Sequence, residues 1–252
     1  MLKVVISGFL GQMGQTLERL IKEKDDIEIV AGISRSADSY EGEIKVYKNI
    51  SEFDGSCDVI IDFSHPDTLD SLLEYAKTNK TPLVLATTGY SDNDMRKIKD
   101  TSNSVPIFYS ANTSLGINLL LSLVSKAASV LGDAFDIEIV ERHHNKKIDA
   151  PSGTAYMIAD KINEVFNNNK VYVFGRHSKS NRRTPKEIGI HAVRGGTYVG
   201  EHDIIFAGLD EVIEINHRAL SKNVFAEGAI AAARFIVKQD KGLFDMNHVL
   251  NI

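Results

Sequence analysis

Lys3-Val4-Val5-Ile6-Ser7-Gly8-Phe9-Leu10-Gly11-Gln12-Met13-Gly14, near the start of the chain, is an apolar run that breaks into three spaced glycines and then into a helical pattern. A strand, a tight turn and a helix in that order form the first unit of a parallel sheet wrapped by helices. Glycines let a backbone approach a pyrophosphate closely, and the helix N-terminus offers unpaired N–H groups and a partial positive charge. Gly8, Gly11, Gln12, Met13 and Gly14 are therefore candidate dinucleotide-binding residues. The spacing G-x-x-G-x-x-G is one residue off the G-x-G-x-x-G fingerprint at its first glycine, and a turn that binds nothing is the competing reading.

Outward from this turn, short apolar runs alternate with amphipathic stretches as far as Asn112. Strands are expected at Lys3 to Ser7, Ile27 to Ile33, Val59 to Phe63, Pro82 to Ala86 and Ile107 to Tyr109. Met13, Leu17, Leu20 and Ile21 share a helical face, and so do Leu69, Leu72, Leu73 and Ala76 after Pro66. Beyond Asn112 the grammar changes. A long apolar helix, Leu115 to Leu131, reads as buried rather than membrane-spanning because Asn118, Ser122, Ser125, Lys126 and Ser129 interrupt it. A strand from Asp136 to Glu141, a charged loop and a helix from Ser152 to Phe166 follow. Further strands are expected at Ile188 to Arg194, Glu201 to Phe206 and Glu211 to His217, with an exposed loop from Arg176 to Lys186. Clustered strands with helices on one face suggest an α+β unit with an open mixed or antiparallel sheet. An alanine-rich helix, Phe225 to Val237, could return to the first unit.

The 252 residues suffice for one large domain or two modest ones. A formal charge of −5, from 29 Lys+Arg against 34 Asp+Glu, carries no footprint for a polyanion, so no nucleic-acid partner is expected. Cys57, alone, makes no intrachain disulfide, which fits a reducing cytoplasm. With no signal-like N-terminus the expectation is a soluble cytoplasmic protein, without a membrane partner.

Cofactor preference is read at the end of the second strand, where an acidic residue would bond the ribose hydroxyls. The chain has Ser34-Arg35-Ser36 there instead. Arg35 offers a cation suited to a 2′-phosphate, so NADPH is expected in preference to NADH, unless Arg35 is only a solvated loop residue. Carboxyl ends of parallel strands line the ligand crevice, which brings in Ala86, Thr87 and Thr88. His65 suits a capping neighbour better than a catalytic group.

The most chemically loaded stretch is Glu141-Arg142-His143-His144-Asn145-Lys146-Lys147-Ile148-Asp149-Ala150-Pro151-Ser152-Gly153-Thr154-Ala155. Ser152, Gly153 and Thr154 open a helix, so their N–H groups and hydroxyls can receive one carboxylate of a small dicarboxylate while Lys147 holds charge near a second acceptor. His143 and His144 would point to opposite sides of an extended segment, leaving one to donate a proton and the other to bind. A zinc site using these histidines with Glu141 or Asp149 is the rival, but there is no spaced H-x-x-x-H pair and no thiolate, so no metal is expected. A purely structural polar loop is the other alternative.

This segment resembles the signature E-x-H-H-x-x-K-x-D-A-P-S-G-T-A of the dihydrodipicolinate reductase family, which serves the diaminopimelate route to lysine. The likeness extends over Gly8 to Gly14, Thr87-Thr88-Gly89, Ser110-Ala111-Asn112, Arg194-Gly195-Gly196, Val199-Gly200-Glu201-His202 and Phe225 to Ala229. It implies an NAD(P)H-dependent reductase of 4-hydroxy-tetrahydrodipicolinate, with His143 as proton donor, Lys147 as its companion, and His144, Ser152, Gly153 and Thr154 binding the cyclic dicarboxylate. Ser110 and Asn112 join the cofactor set by the same likeness. Lys146 falls where the signature is free. Thr113 stands where some members have an aromatic residue, and Ser34 where some have an acidic one, which bears on dinucleotide preference. The resemblance also implies an α/β protein of two hinged domains, a Rossmann-like dinucleotide-binding domain (1–113 with 224–252) and an α+β substrate and oligomerisation domain with a mixed open sheet (114–223), assembled as a homotetramer. Rival readings are another amino-acid dehydrogenase of the aspartate or homoserine type, which leaves H-H-x-x-K and D-A-P-S-G-T unexplained, and a dinucleotide-sensing protein, which would have no use for proton donors.

Overall fold

The computed structural model describes Met1–Ile252. In chain order its elements are β1 (Leu2–Ser7), α1 (Gln12–Lys22), β2 (Ile27–Ile33), β3 (Val46–Tyr47), β4 (Val59–Asp62), α2 (Leu69–Asn79), β5 (Leu83–Leu85), α3 (Asp92–Ser102) and β6 (Pro106–Tyr109). There follow α4 (Leu115–Leu131), β7 (Asp136–His143), α5 (Gly153–Val165), β8 (Val171–Phe174), β9 (Glu187–Arg194), β10 (Gly200–Ala207) and β11 (Val212–Ala219). The chain closes with α6 (Asn223–Ile236), β12 (Gly242–Phe244) and α7 (Met246–Leu250). They fall into two compact units, Met1–Leu115 with Lys222–Ile252, and Gly116–Ser221.

The first unit carries a seven-stranded parallel sheet in the order β12-β6-β5-β4-β1-β2-β3. Strands buried on both faces should read as unbroken apolar runs, and Val4-Val5-Ile6, Val59-Ile60-Ile61 and Leu83-Val84-Leu85 do, each fully buried. One face packs Val4, Ile6 and Ile61 against Leu17 and Ile21 of α1 and Ile230 of α6. The other packs Val5, Ile60 and Ile107 against Leu72 of α2 and Ile98 of α3. Three strands lie beyond the sequence expectations: β3, β8 and β12 are two to four residues long, too short for an alternating pattern to register.

The alanines of α6 let it lie close: Ala226, Ala229, Ala232 and Ala233 are fully buried. At Gly228 the approach is closest, and an added Cβ would collide with the Thr113 carbonyl. Thr113 also donates its hydroxyl to the Phe225 carbonyl, 2.7 Å away.

The second unit has a five-stranded mixed sheet, β11-β10-β7-β9-β8, in which β10 is antiparallel to both neighbours and β7, β9 and β8 are parallel. Successive side chains of a strand face opposite sides. Ile137 and Ile139, Ile188 and Ile190, and Ile204 and Phe206 all meet Ile117, Leu120 and Val124 of α4 and Ile158 and Ile162 of α5. The helix α4 is buried along that stripe only, with Leu119, Leu123 and Val130 exposed on its other side. The loop from Arg176 to Lys186 is exposed, but Arg176 and Arg183 tie it back to Glu138 of β7 at 2.8 and 3.0 Å. β7 continues two residues past the expected end, so Glu141 and His143 belong to the same sheet face as Ile137 and Ile139.

Helix propensity alone would make Gly228→Ala stabilising by about 1 kcal/mol. The collision with a fixed carbonyl reverses the sign: a net loss of about 1–3 kcal/mol is expected from urea unfolding. An unchanged or higher midpoint would contradict the close approach.

Candidate functional site

In the first unit the strand order reverses between β1 and β4, the place where open parallel sheets bind ligands at their carboxyl ends. Gly8 leaves β1 with φ +83°, and any Cβ there would strike the Phe63 carbonyl that follows β4. Gly14 sits so close beneath the turn that a Cβ would strike the Gly8 and Phe9 carbonyls. Gly11 is the N-cap of α1, with no side chain capping the helix and no acidic residue in its first turn. That N-terminus suits an anion. Of the other turn residues, Met13 packs into the apolar core and Gln12 accepts a hydrogen bond from Lys222 Nζ at 2.5 Å.

A cavity of about 360 Å³ opens beside the turn, lined by Gly8, Gly11, Ser34, Arg35, Lys48 and Ser64 among others. Arg35 is exposed, with Asp67 3.9 Å away, and Lys48 is paired with Asp38 at 2.6 Å. Lys48 was not among the sequence candidates; no spacing from the glycine turn marks it, since β3 brings it there. The glycines, the uncapped helix end and this basic cavity fit a dinucleotide.

Ala86, Thr87, Thr88, Ser110 and Asn112 lie at or just beyond the carboxyl ends of β5 and β6, outside the lining of that cavity. Thr87 is buried, and its hydroxyl is engaged in structure: it donates to Asp62 Oδ2 at 2.7 Å and accepts from the Ser64 N–H at 2.8 Å. Asp62 is itself fully buried at the end of β4 and also accepts from Ser64 Oγ (2.5 Å) and Tyr90 (3.3 Å). Burial pushes its carboxyl up against the pull of these hydroxyls. Thr88 is exposed, while Ser110 donates to the Asn112 carbonyl at 2.7 Å and shapes the bend out of β6. His65 caps the short turn before α2, accepting from the Asp67 N–H at 3.3 Å.

In the second unit the helix-covered sheet face turns polar at its end. Register places His202 of β10 opposite Glu141 of β7, and Arg194 of β9 opposite His143. Glu141 is fully buried and accepts four hydrogen bonds. Arg194 grips both its oxygens at 2.7 Å, the Ser152 N–H reaches Oε1 at 2.9 Å, and His143 Nδ1 lies 2.6 Å from Oε2. Burial raises the Glu141 pKa, but His143, Arg194 and the Ser152 amide outweigh it and hold the carboxyl at about 2. His202, 3% exposed, has its ring edge-on to His143 at 5.5 Å, with Nε2 3.2 Å from Ser152 Oγ. Burial, reinforced by His143, lowers its pKa to about 4, so it is neutral at pH 7.

Ser152 caps α5, accepting from the Ala155 N–H at 3.2 Å, and Gly153 opens the helix on exposed backbone with space where a side chain would be. Lys147 is paired with Asp149 at 2.8 Å, and Arg194 also donates to the Asp149 carbonyl at 2.8 Å. His144 leaves the strand by donating its N–H to the Tyr198 carbonyl, and its Nδ1 is buried without a partner. His143 and Ser152 are thus brought together through Glu141; none of Glu141, Arg194 and His202 was among the expected catalytic or substrate-binding residues. Alternation along β7 could have linked Glu141 to His143, but Arg194 and His202 are joined to them only by register across the sheet.

Residues 2–113 match the family described as "Dihydrodipicolinate reductase, N-terminus", and residues 116–250 match "Dihydrodipicolinate reductase, C-terminus". The chain belongs to the dihydrodipicolinate reductase family. It is 49% identical over 250 residues to the 4-hydroxy-tetrahydrodipicolinate reductase of Caldanaerobacter subterraneus subsp. tengcongensis, covering 99% of this chain and 98% of that one. The Clostridium tetani protein of the same name is 46% identical, covering 100% and 98%. Among solved structures, dipicolinate-bound dihydrodipicolinate reductase from Paenisporosarcina sp. TG-14 shares the fold with TM-score 0.79 at 24% identity, covering 98% of each chain. A diaminopimelate dehydrogenase from C. glutamicum aligns more loosely, with TM-score 0.58 at 13% identity over 97% of this chain and 92% of that one. The C-terminal dihydrodipicolinate reductase match includes α6, β12 and α7, which fold with the first unit.

His202 carries a stability prediction. Its folded pKa, about 4, lies below the ordinary 6.5, so its neutral form stabilises the fold above pH 6.5 and that contribution is lost as pH falls towards 4. His202→Gln, which cannot take up the proton, should lose less Tm between pH 7 and pH 4.5 than wild type. Equal losses would show that His202 does not titrate against burial.

Proposed function

We propose that this chain catalyses the NAD(P)H-dependent reduction of 4-hydroxy-tetrahydrodipicolinate to tetrahydrodipicolinate in the diaminopimelate route to lysine. The observation that carries the reading is the cluster of His143, Glu141, Arg194 and Ser152 at the amino end of α5, in a chain nearly half identical to reductases of that name. The dipicolinate in the Paenisporosarcina neighbour supports a small cyclic dicarboxylate as substrate.

The first unit is the dinucleotide-binding domain and the second the substrate domain. The dinucleotide, when bound at the glycine turn, supplies the hydride. Everything else falls to this chain's side chains. The reduction consumes one hydride and one proton and, from the 4-hydroxy ring, releases water. His143 provides the proton: Nδ1 faces Glu141, so Nε2 is the nitrogen left to face the substrate. One substrate carboxylate is received by Gly153 and Thr154 in the first turn of α5, where the helix end favours an anion. Lys147 takes a second acceptor by exchanging Asp149 for it, and stabilises charge that develops on the ring. His144 completes the substrate set.

NADPH is preferred over NADH, because Arg35, Lys48, Ser34 and Ser36 line the cavity at the end of β2 and no carboxylate lines it. Assembly is a homotetramer through the second unit, whose sheet has helices on one face only. A cytoplasmic setting is in keeping with the lone Cys57.

The test is NADPH oxidation with freshly condensed aspartate semialdehyde and pyruvate, inhibited by pyridine-2,6-dicarboxylate. His143→Ala should lower turnover by about 10²-fold or more with NADPH binding little changed; unaltered turnover would remove His143 from its role. Calorimetry should find 2′,5′-ADP bound more tightly than 5′-AMP, with the difference lost in Arg35→Ala. NADH bound at least as tightly as NADPH at equal salt would overturn the preference.

A further inference from the structure

We propose that Glu141, clamped by Arg194, is a positioning residue that fixes His143 in the Nδ1–H tautomer, so that the catalytic proton leaves from Nε2. This deepens the reading of His143 as proton donor and rests on it.

The geometry leaves little freedom. Glu141 stands where β7 would otherwise present another isoleucine to the helices, and it is fully buried. Arg194 pairs both of its oxygens, and the Ser152 amide adds a third bond, so the carboxylate cannot swing away. An ionised carboxylate only accepts hydrogen bonds, and this one stays ionised down to about pH 2. The group 2.6 Å from Oε2, His143 Nδ1, must therefore donate. In the neutral ring the single proton is on Nδ1, and Nε2 alone gains and loses the catalytic one.

The surroundings are consistent. A Cβ on Gly200 would come within 3.1 Å of His143 Nε2, and glycine leaves that side unobstructed. The titratable and charged groups around His143 are Glu141 on its own strand, Arg194 at the paired position of β9 and His202 of β10. His202, kept neutral by burial, adds no second positive charge. Through its bond to the Asp149 carbonyl, Arg194 ties the same clamp to the loop that carries Lys147.

The test uses the full-length protein. In ¹⁵N histidine spectra of wild type, neutral His143 should carry its proton on Nδ1. In Glu141→Gln, kcat should fall about tenfold to a hundredfold with KM changed far less, the range seen where a carboxylate that orients a metal-bound imidazole is removed. Glu141→Asp, which keeps an accepting carboxylate on the strand, should recover part of that loss in kcat. An Nε2–H tautomer in wild type would overturn the proposal, and that spectrum decides even if Glu141→Gln does not fold. A folded Glu141→Gln with unaltered kcat would overturn it too. Failure of the underlying reading is seen separately, as normal turnover by His143→Ala.

Discussion

A carboxylate withdrawn completely from water at the end of an isoleucine-lined sheet face has to be met by donors, and Glu141 obtains four of them. An unpaired charge at that depth would be strongly destabilising, so each partner is held as firmly as the carboxylate is. That single requirement orients the His143 ring, starts α5 at the right place by engaging the Ser152 N–H, and draws Arg194 across from β9. The charged loop between β7 and α5 is bounded at both ends by the same side chain. Its Lys147 and Asp149 hang from a fixed frame rather than from a flexible surface loop.

Much of the frame was legible in the residues. Val4 to Ile6, Val59 to Ile61 and Leu83 to Leu85 are unbroken apolar runs because both faces of their sheet are covered, and the Ser-Gly-Thr start of α5 announces its own cap. β7 was harder. Read from composition, Arg142-His143 looks like the start of a loop, yet the strand continues through it because Arg142 finds Asp203 across the sheet. Arg194 and His202 lie 53 and 61 residues beyond Glu141, and nothing short of strand register joins them to it. Lys48 was hidden for the same reason, and Thr87 was legible as a crevice residue but not as one whose hydroxyl is turned inward on Asp62.

The returning segment shows how sterics complete the first unit. β12 extends the parallel sheet beyond β6, and α6 lies close on one face because most of its buried surface is alanine and glycine. With larger residues at Ala229, Ala232 or Gly228 the helix would stand off from Leu17 and Ile61, and the apolar layer beneath the glycine turn would open. The turn's own shape depends on that layer. Gly8 and Gly14 approach backbone carbonyls so closely that the turn has one conformation while the packing holds.

The two units use one device to opposite electrical effect. Each ends a strand of its sheet with a fully buried acid that gathers the following segments: Asp62 collects Ser64, Thr87 and Tyr90, and Glu141 collects His143, Ser152 and Arg194. The partners of Asp62 are hydroxyls, which offset burial only in part, so its carboxyl is driven up towards the neutral form. The partners of Glu141 include a guanidinium and an imidazole, and its carboxyl is driven down. The contrast follows from the partners each acid meets. At the end of β4 the hydroxyls of Ser64, Thr87 and Tyr90 let a buried acid brace the segments that follow the strand. Beside His143 the buried anion keeps the ring aimed, and its cationic partner keeps that anion ionised out of water.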